Sequence, residues 1–229
     1  MSEWVNVTAV DGHELAAYVA RPAGEAVGAV VIGMEIFGVN AAMRDVADSY
    51  ARDGFVAIAP QLFDRVERGV ELGYGEEDMK RAFALYGMVP VEDSVKDVAA
   101  AYDFVKQETG KAVGVVGFCR GGLLAWLAAT RGEDLKMQPA CTVGYYAGGI
   151  GKFAAEEPSC PVMLHFGGAD DHIGADQREA VAKAHPEVEI FVYEGAGHAF
   201  ANSYRASWKE DDAKVARERT LDFLRKNIA

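Results

Sequence analysis

Six short, almost continuous apolar runs, separated by stretches of helical periodicity, leave this chain few architectures to choose from. The runs cover residues 27–33, 55–59, 113–117, 142–146, 162–166 and 188–193. Strands without polar alternation are the kind covered by helices on both faces, so they predict a mainly parallel sheet. Helical patterns at 41–52, 76–86, 91–107, 121–130 and 176–184 are each long enough for a crossover. A last helix over 208–226 would turn Ala213, Ala216, Leu221 and Leu224 inward. Residues 4–10 and 15–20 alternate around Asp11-Gly12, the pattern of an antiparallel hairpin, and would form the sheet edge. The expected fold is one α/β domain over residues 1–229 with an N-terminal antiparallel hairpin. The charged, glycine-rich stretch 61–75 reads as a surface excursion at the C-terminal end of a strand, where loops frame ligand crevices.

Within that frame, Gly117-Phe118-Cys119-Arg120-Gly121 sits where the third run gives way to a helix. Strand, sharp turn and helix around Gly-x-Cys-x-Gly form the nucleophile elbow of an α/β-hydrolase, with Cys in place of Ser. A buried cysteine at such a junction often serves only as a small apolar side chain. The downstream order argues for chemistry: Gly167-Gly168-Ala169-Asp170 ends one apolar run and Glu194-Gly195-Ala196-Gly197-His198 ends the next. Nucleophile, acid, His is the order in which this fold delivers its catalytic groups.

Such an arrangement lets His198 take the thiol proton of Cys119, while Asp170 orients the imidazole and stabilises its cation. Asp171 and His172 compete with this assignment, and Asp170 is preferred because it lies three residues after Gly167. Three consecutive residues on a turn seldom converge on one ion, and no further ligands are spaced to complete a zinc set, so neither a metal nor a cofactor is expected. His13, His165 and His185 have no evident partners. The backbone amides of Ile36 and Arg120 would hold an oxyanion, and Glu35 stands beside the first of them.

With Asp and Glu at 35 against Lys and Arg at 23, the net charge of -12 argues against a nucleic acid partner. Met1-Ser2-Glu3-Trp4-Val5 carries no basic segment and no apolar core of a secretion signal, and no run approaches a membrane span. Three cysteines without a paired spacing fit free thiols in a reducing compartment, and Cys141 and Cys160 read as packing residues. The expectation is a cytoplasmic monomer acting on a small molecule, with no membrane partner.

Several segments resemble dienelactone hydrolase (carboxymethylenebutenolidase) across nearly the whole chain. They are Glu35-Ile36-Phe37-Gly38-Val39-Asn40, Gly117-Phe118-Cys119-Arg120-Gly121-Gly122, Gly144-Tyr145-Tyr146, His165-Phe166-Gly167-Gly168-Ala169-Asp170, Gly195-Ala196-Gly197-His198-Ala199-Phe200-Ala201 and Glu218-Arg219-Thr220-Leu221-Asp222-Phe223-Leu224. The resemblance implies a Cys119, His198, Asp170 triad that opens a lactone or small ester through a thioester, with Glu35 holding the resting thiol until substrate arrives. It departs from the family at substrate recognition. Where the best-known members place an arginine four residues after the catalytic His, this chain has Asn202; a second arginine position falls at Met79, beside Lys80 and Arg81. Phe37, Phe83, Tyr86, Tyr145 and Phe200 are candidates to line an aromatic pocket, joined by Asn202 and Arg81 as substrate contacts. The competing function is a ligand-binding or thiol redox-sensing protein on the same scaffold, its hydrolysis vestigial.

Overall fold

A computed structural model describes residues 1–228. Eight strands form one sheet in the order β1-β2-β4-β3-β5-β6-β7-β8. The hairpin β1 (Ser2–Thr8) and β2 (Glu14–Ala20) is antiparallel, and β2 pairs antiparallel with β4 (Phe55–Pro60). From β4 onward the sheet is parallel, through β3 (Gly28–Gly33), β5 (Val113–Phe118), β6 (Thr142–Tyr145), β7 (Val162–Gly167) and β8 (Glu189–Tyr193). Every residue of β3, β4, β5, β6 and β7 is buried, which is why those segments read as unbroken apolar runs. β8 at the far edge is only partly covered.

The crossovers are α1 (Ala41–Arg52), α2 (Glu76–Met88), α3 (Val91–Thr109), α4 (Arg120–Arg131) and α5 (Ala175–Ala184), with α6 (Glu210–Ile228) closing the chain. From β3 the chain passes to β4 on one side and then to β5 on the other. The strand order therefore reverses at the β3/β5 boundary, and a crevice opens at their C-terminal ends. Both Glu35 and Cys119 lie just beyond those ends.

The segment 61–75 is not a loose surface excursion. Leu62, Phe63, Val70 and Leu72 are core residues, because a short 3-10 turn, Leu62–Arg65, folds the segment back onto the sheet. Arg65 donates from Nε and Nη2 to the two oxygens of the buried Asp97 on α3, at 2.8 and 2.7 Å. Breaking a buried pair of this kind by removing one partner costs about 3–5 kcal/mol. Asn40 pins the other end: its Oδ1 caps α1 by accepting from Met43 N at 3.2 Å, while its Nδ2 donates to Leu72 O at 2.9 Å. Gly38 must be glycine here, since it takes φ +78° and a Cβ would stand 1.7 Å from Val70 O.

The inward face of α6 is Ala216, Thr220, Phe223, Leu224 and Ile228, with Ala213 and Leu221 half-buried at its margins. Thr220 explains the difference from a purely apolar stripe: its hydroxyl shares hydrogen bonds with Tyr145 OH at 2.6 Å and His165 Nε2 at 3.1 Å. His165 Nδ1 in turn meets Tyr193 OH at 2.9 Å, and His185 Nε2 meets Ala154 O at 2.9 Å, so two imidazoles without evident partners in the sequence are satisfied core groups. No helix is long and apolar enough to cross a membrane among the described residues.

Burial pushes the His165 imidazole down to about 3, reinforced by the Arg219 charge. The unfolded chain protonates this group near pH 6.5 and the folded one does not, so stability is lost as pH falls from about 6.5 toward 3. Urea unfolding at pH 7 and pH 5 tests this: His165→Asn should show a shallower loss than the wild type, by up to about 1.4 kcal/mol per pH unit.

Candidate active site

The nucleophile turn is built by two close backbone approaches. A Cβ at Gly117 would stand 1.7 Å from Gly121 O, and one at Gly121 would stand 2.1 Å from Gly33 O. Only glycine lets α4 start this near β3 and β5, and Gly121 N–H then donates to Met34 O at 3.0 Å. The turn forces Cys119 to φ 54°, ψ -113°, a conformation costing on the order of 1–3 kcal/mol for a residue with a Cβ. It is held there by Cys119 N–H donating to Tyr145 O at 3.0 Å and by Gly122 N–H on Cys119 O at 3.0 Å. The half-buried sulfur is thereby lifted off the sheet into the crevice.

His198 lies on the loop after β8, which also holds Ala199 at φ 61°. Its Nδ1 is 2.8 Å from Oδ2 of Asp170, and the other Asp170 oxygen accepts from the backbone amides of His172 and Ile173 at 2.8 and 3.2 Å. Asp170, and not the exposed Asp171, is thus the imidazole's partner. Desolvation acts to raise the Asp170 carboxyl, but the His198 contact and the backbone donors hold it below the usual carboxylate range. For His198, desolvation acts to lower the value; the bond to Asp170 and the neighbouring Cys119 sulfur outweigh it and raise the imidazole to about 10. The arrangement can hold a proton on His198 beside the Cys119 sulfur.

A cavity of about 390 Å³ opens over these groups. Cys119, His198, Ile36 and Arg120 line it together with Phe37, Phe83 and Tyr86, so these residues converge on one space. Asp170 and Glu35 stand behind this lining, and four of the candidate substrate contacts do not reach the cavity either. Tyr145 is buried with its hydroxyl on Ala216 O and Thr220, and Phe200 packs within the core against Tyr146 and Tyr193. Arg81 faces outward and pairs with Glu67, because the helix turn carries Met79 inward instead. Asn202 is buried behind the cavity, where its Nδ2 donates to Glu35 Oε2 and Tyr74 OH, both at 2.9 Å.

Glu35 is 1 % exposed, and desolvation pushes its carboxyl up against the opposing charges of Arg205 and His198. One of its oxygens accepts from Asn202 and Tyr74; the other has no hydrogen-bond partner. Sequence reasoning does not single out Tyr74 and Arg205, and it brings in His172 only as a competitor on the turn after Asp170. Tyr74 comes from the 61–75 segment, and its only sequence mark is an aromatic between two glycines. Arg205 also lines the cavity, its guanidinium 5.6 and 5.5 Å from the Phe37 and Tyr74 ring centres, with no ion pair among the described residues. His172 stands edge-on to His198, with ring centres 5.1 Å apart. No group of three or more His, Cys, Asp or Glu could hold a metal ion among the described residues.

A family model described as the dienelactone hydrolase family matches residues 15–228. The chain belongs to the dienelactone hydrolase family. Carboxymethylenebutenolidase of Pseudomonas putida is 34 % identical over 98 % of this chain and 96 % of its own length. A putative carboxymethylenebutenolidase of Azospirillum brasilense is likewise 34 % identical, covering 98 % of both chains. The crystal structure of a putative dienelactone hydrolase from Klebsiella pneumoniae superposes with a TM-score of 0.80 at 29 % identity, over 97 % of this chain and 98 % of that one. As a dienelactone hydrolase family member, the protein is a carboxylic ester hydrolase.

The raised His198 value has a stability consequence with a definite sign. The contribution is complete below about pH 6.5 and is lost as pH climbs through about 10, where the folded imidazole gives up its proton. Imidazole NMR should show the His198 titration well above 6.5 in the wild type and displaced downward in Asp170→Asn, with unfolding stability falling less steeply between pH 6.5 and 10 in the variant.

Proposed function

We propose that this protein opens a lactone or small carboxylic ester by nucleophilic attack of Cys119 through a thioester intermediate. The observation that carries the reading is a sulfur on a strained elbow, sharing one cavity with an imidazole whose far nitrogen is fixed to a buried carboxylate. His198 takes the Cys119 proton, and the sulfur attacks the substrate carbonyl carbon. The oxygen charge that develops is met by the backbone N–H groups of Ile36 and Arg120, two residues that line the cavity with the sulfur. The ester C–O bond then breaks, the leaving oxygen takes the proton from His198, and an acyl group remains on sulfur. Water loses a proton to His198 and attacks the thioester carbon, which expels the sulfur anion and leaves the carboxylic acid; the imidazolium returns its proton to the sulfur, and the product acid ionises by releasing its own proton to solvent.

Glu35 contributes to the resting state in this reading. Its burial favours the protonated acid, so the carboxyl held by Asn202 and Tyr74 adds no full negative charge to the resting site. Phe37, Phe83, Tyr86 and Met79 supply an apolar wall for the substrate body. Arg205 supplies a cation at the same cavity, which suits a substrate bearing a carboxylate, and it takes over the work that Asn202 does not do. A free Cys119 thiol requires a reducing compartment, in keeping with a cytoplasmic monomer that acts on small molecules without a cofactor.

Cys119→Ala should lower kcat/KM for p-nitrophenyl acetate and for dienelactone by about ten-thousand-fold with the fold intact by circular dichroism, and undiminished rates would remove the sulfur from the reaction. Steady-state kinetics of Arg205→Met should raise KM for dienelactone roughly 10- to 100-fold, with a smaller effect on the neutral acetate, as expected for one lost charge-assisted contact.

A further inference from the structure

Arg120 places a guanidinium one residue from the sulfur, and the side chain is only 5 % exposed. Its hydrogen-bond partners are all neutral: Nη1 donates to Tyr86 O at 3.1 Å, and Nη2 donates to Val89 O at 2.8 Å and to Ser94 Oγ at 2.6 Å. The guanidinium carbon also lies 4.7 Å from the centre of the Tyr86 ring. Tyr86 O belongs to the last turn of α2 and Val89 O to the residue that ends it, before Pro90 turns the chain into α3. A helix leaves its final carbonyls without intrahelical partners, and its C-terminus favours a cation. Arg120 therefore caps α2 from another element, reaching across from the first turn of α4.

α2 has little else to hold it. Of its thirteen residues only Ala82 and Leu85 are buried, while Phe83, Tyr86 and Met88 are exposed. The same helix carries Met79, Phe83 and Tyr86 into the cavity over Cys119. A buried cation with neutral partners is an expensive way to fill space, because an apolar side chain of similar volume is often neutral or stabilising in its place. What such a side chain could not do is grip two helix-end carbonyls and a hydroxyl at once.

We infer that the Arg120 side chain is a positioning residue that fastens α2 to the nucleophile elbow and so fixes the aromatic wall of the cavity relative to the sulfur. It deepens the proposed function, resting on the reading of this cavity as the substrate site, and it is separate from the part played by the Arg120 backbone amide. The coupling runs in one direction of consequence: α2 and its ring-bearing face move if the guanidinium is lost, while the elbow stays in place through its glycine contacts with β3 and the Gly121 bond to Met34 O.

Amide hydrogen exchange read by mass spectrometry on the full chain tests this without relying on turnover. In Arg120→Met, peptides covering 76–89 should exchange about tenfold faster or more than in the wild type, with α3 and the strand peptides keeping their protection. Arg120→Lys, which retains a cation but not the fork, should fall between the two. KM for an aromatic ester such as p-nitrophenyl benzoate should rise with the exchange rate along the series, and by a larger factor than kcat falls. Unchanged exchange over 76–89, or acceleration spread equally over α3 and α4, would overturn the inference. Should Arg120→Met not fold, Ser94→Ala removes the hydroxyl that accepts from Nη2 and Tyr86→Leu removes the ring beneath the guanidinium while keeping its carbonyl; both are expected to loosen 76–89, and protection retained in both would equally overturn it. If Cys119→Ala keeps its activity while Arg120→Met loosens α2, the catalytic reading fails and the clamp stands.

Discussion

Everything at the site depends on how closely α4 starts against the ends of β3 and β5. Gly117 and Gly121 permit that approach, and Gly121 N–H closes it on Met34 O. With side chains at those positions the helix would stand off, Cys119 would relax out of its left-handed backbone, and the sulfur would lose its place beside His198. The sheet topology does the remaining work, since the reversal of strand order at β3 and β5 is what sets Glu35 and Cys119 on the same crevice.

The charges around the sulfur are arranged so that few of them are free. Asp170 is fixed by two backbone amides and by His198. Glu35 is kept buried by Asn202 and Tyr74, and Arg120 directs Nη1 and Nη2 at two carbonyls and a hydroxyl. Arg205, laid across two aromatic rings at the cavity, has no ion pair among the described residues. A chain with a net charge of -12 thus sets two arginines, Arg120 and Arg205, into the lining of this one cavity, a placement that a sum over the sequence conceals.

The strands were legible because burial on both faces leaves a plain trace in a sequence, as the wholly buried β3, β4 and β5 show. The elbow was legible because its glycines and its position between strand and helix are local. Side-chain direction was not. Tyr145 and Phe200 are aromatics next to the turns that carry Cys119 and His198, yet strand alternation and the positive φ of Ala199 leave them in the core. Asn202 turns inward to serve Glu35, and helix phase alone decides that Met79 lines the cavity where Arg81 does not. Tyr74 and Arg205 come from irregular segments whose paths are set by long-range contacts such as Asn40 Nδ2 on Leu72 O, and no periodicity announces them.

Intact-protein mass spectrometry on a reaction quenched within milliseconds of mixing with p-nitrophenyl butyrate, followed by peptide mapping, addresses the sulfur itself. A butyryl adduct confined to the peptide bearing Cys119, formed at the rate of the nitrophenol burst and accumulating in His198→Gln only at a much reduced rate, is the expected result. An adduct on another residue, or turnover through that interval with no acylated protein, would contradict covalent catalysis at this cysteine.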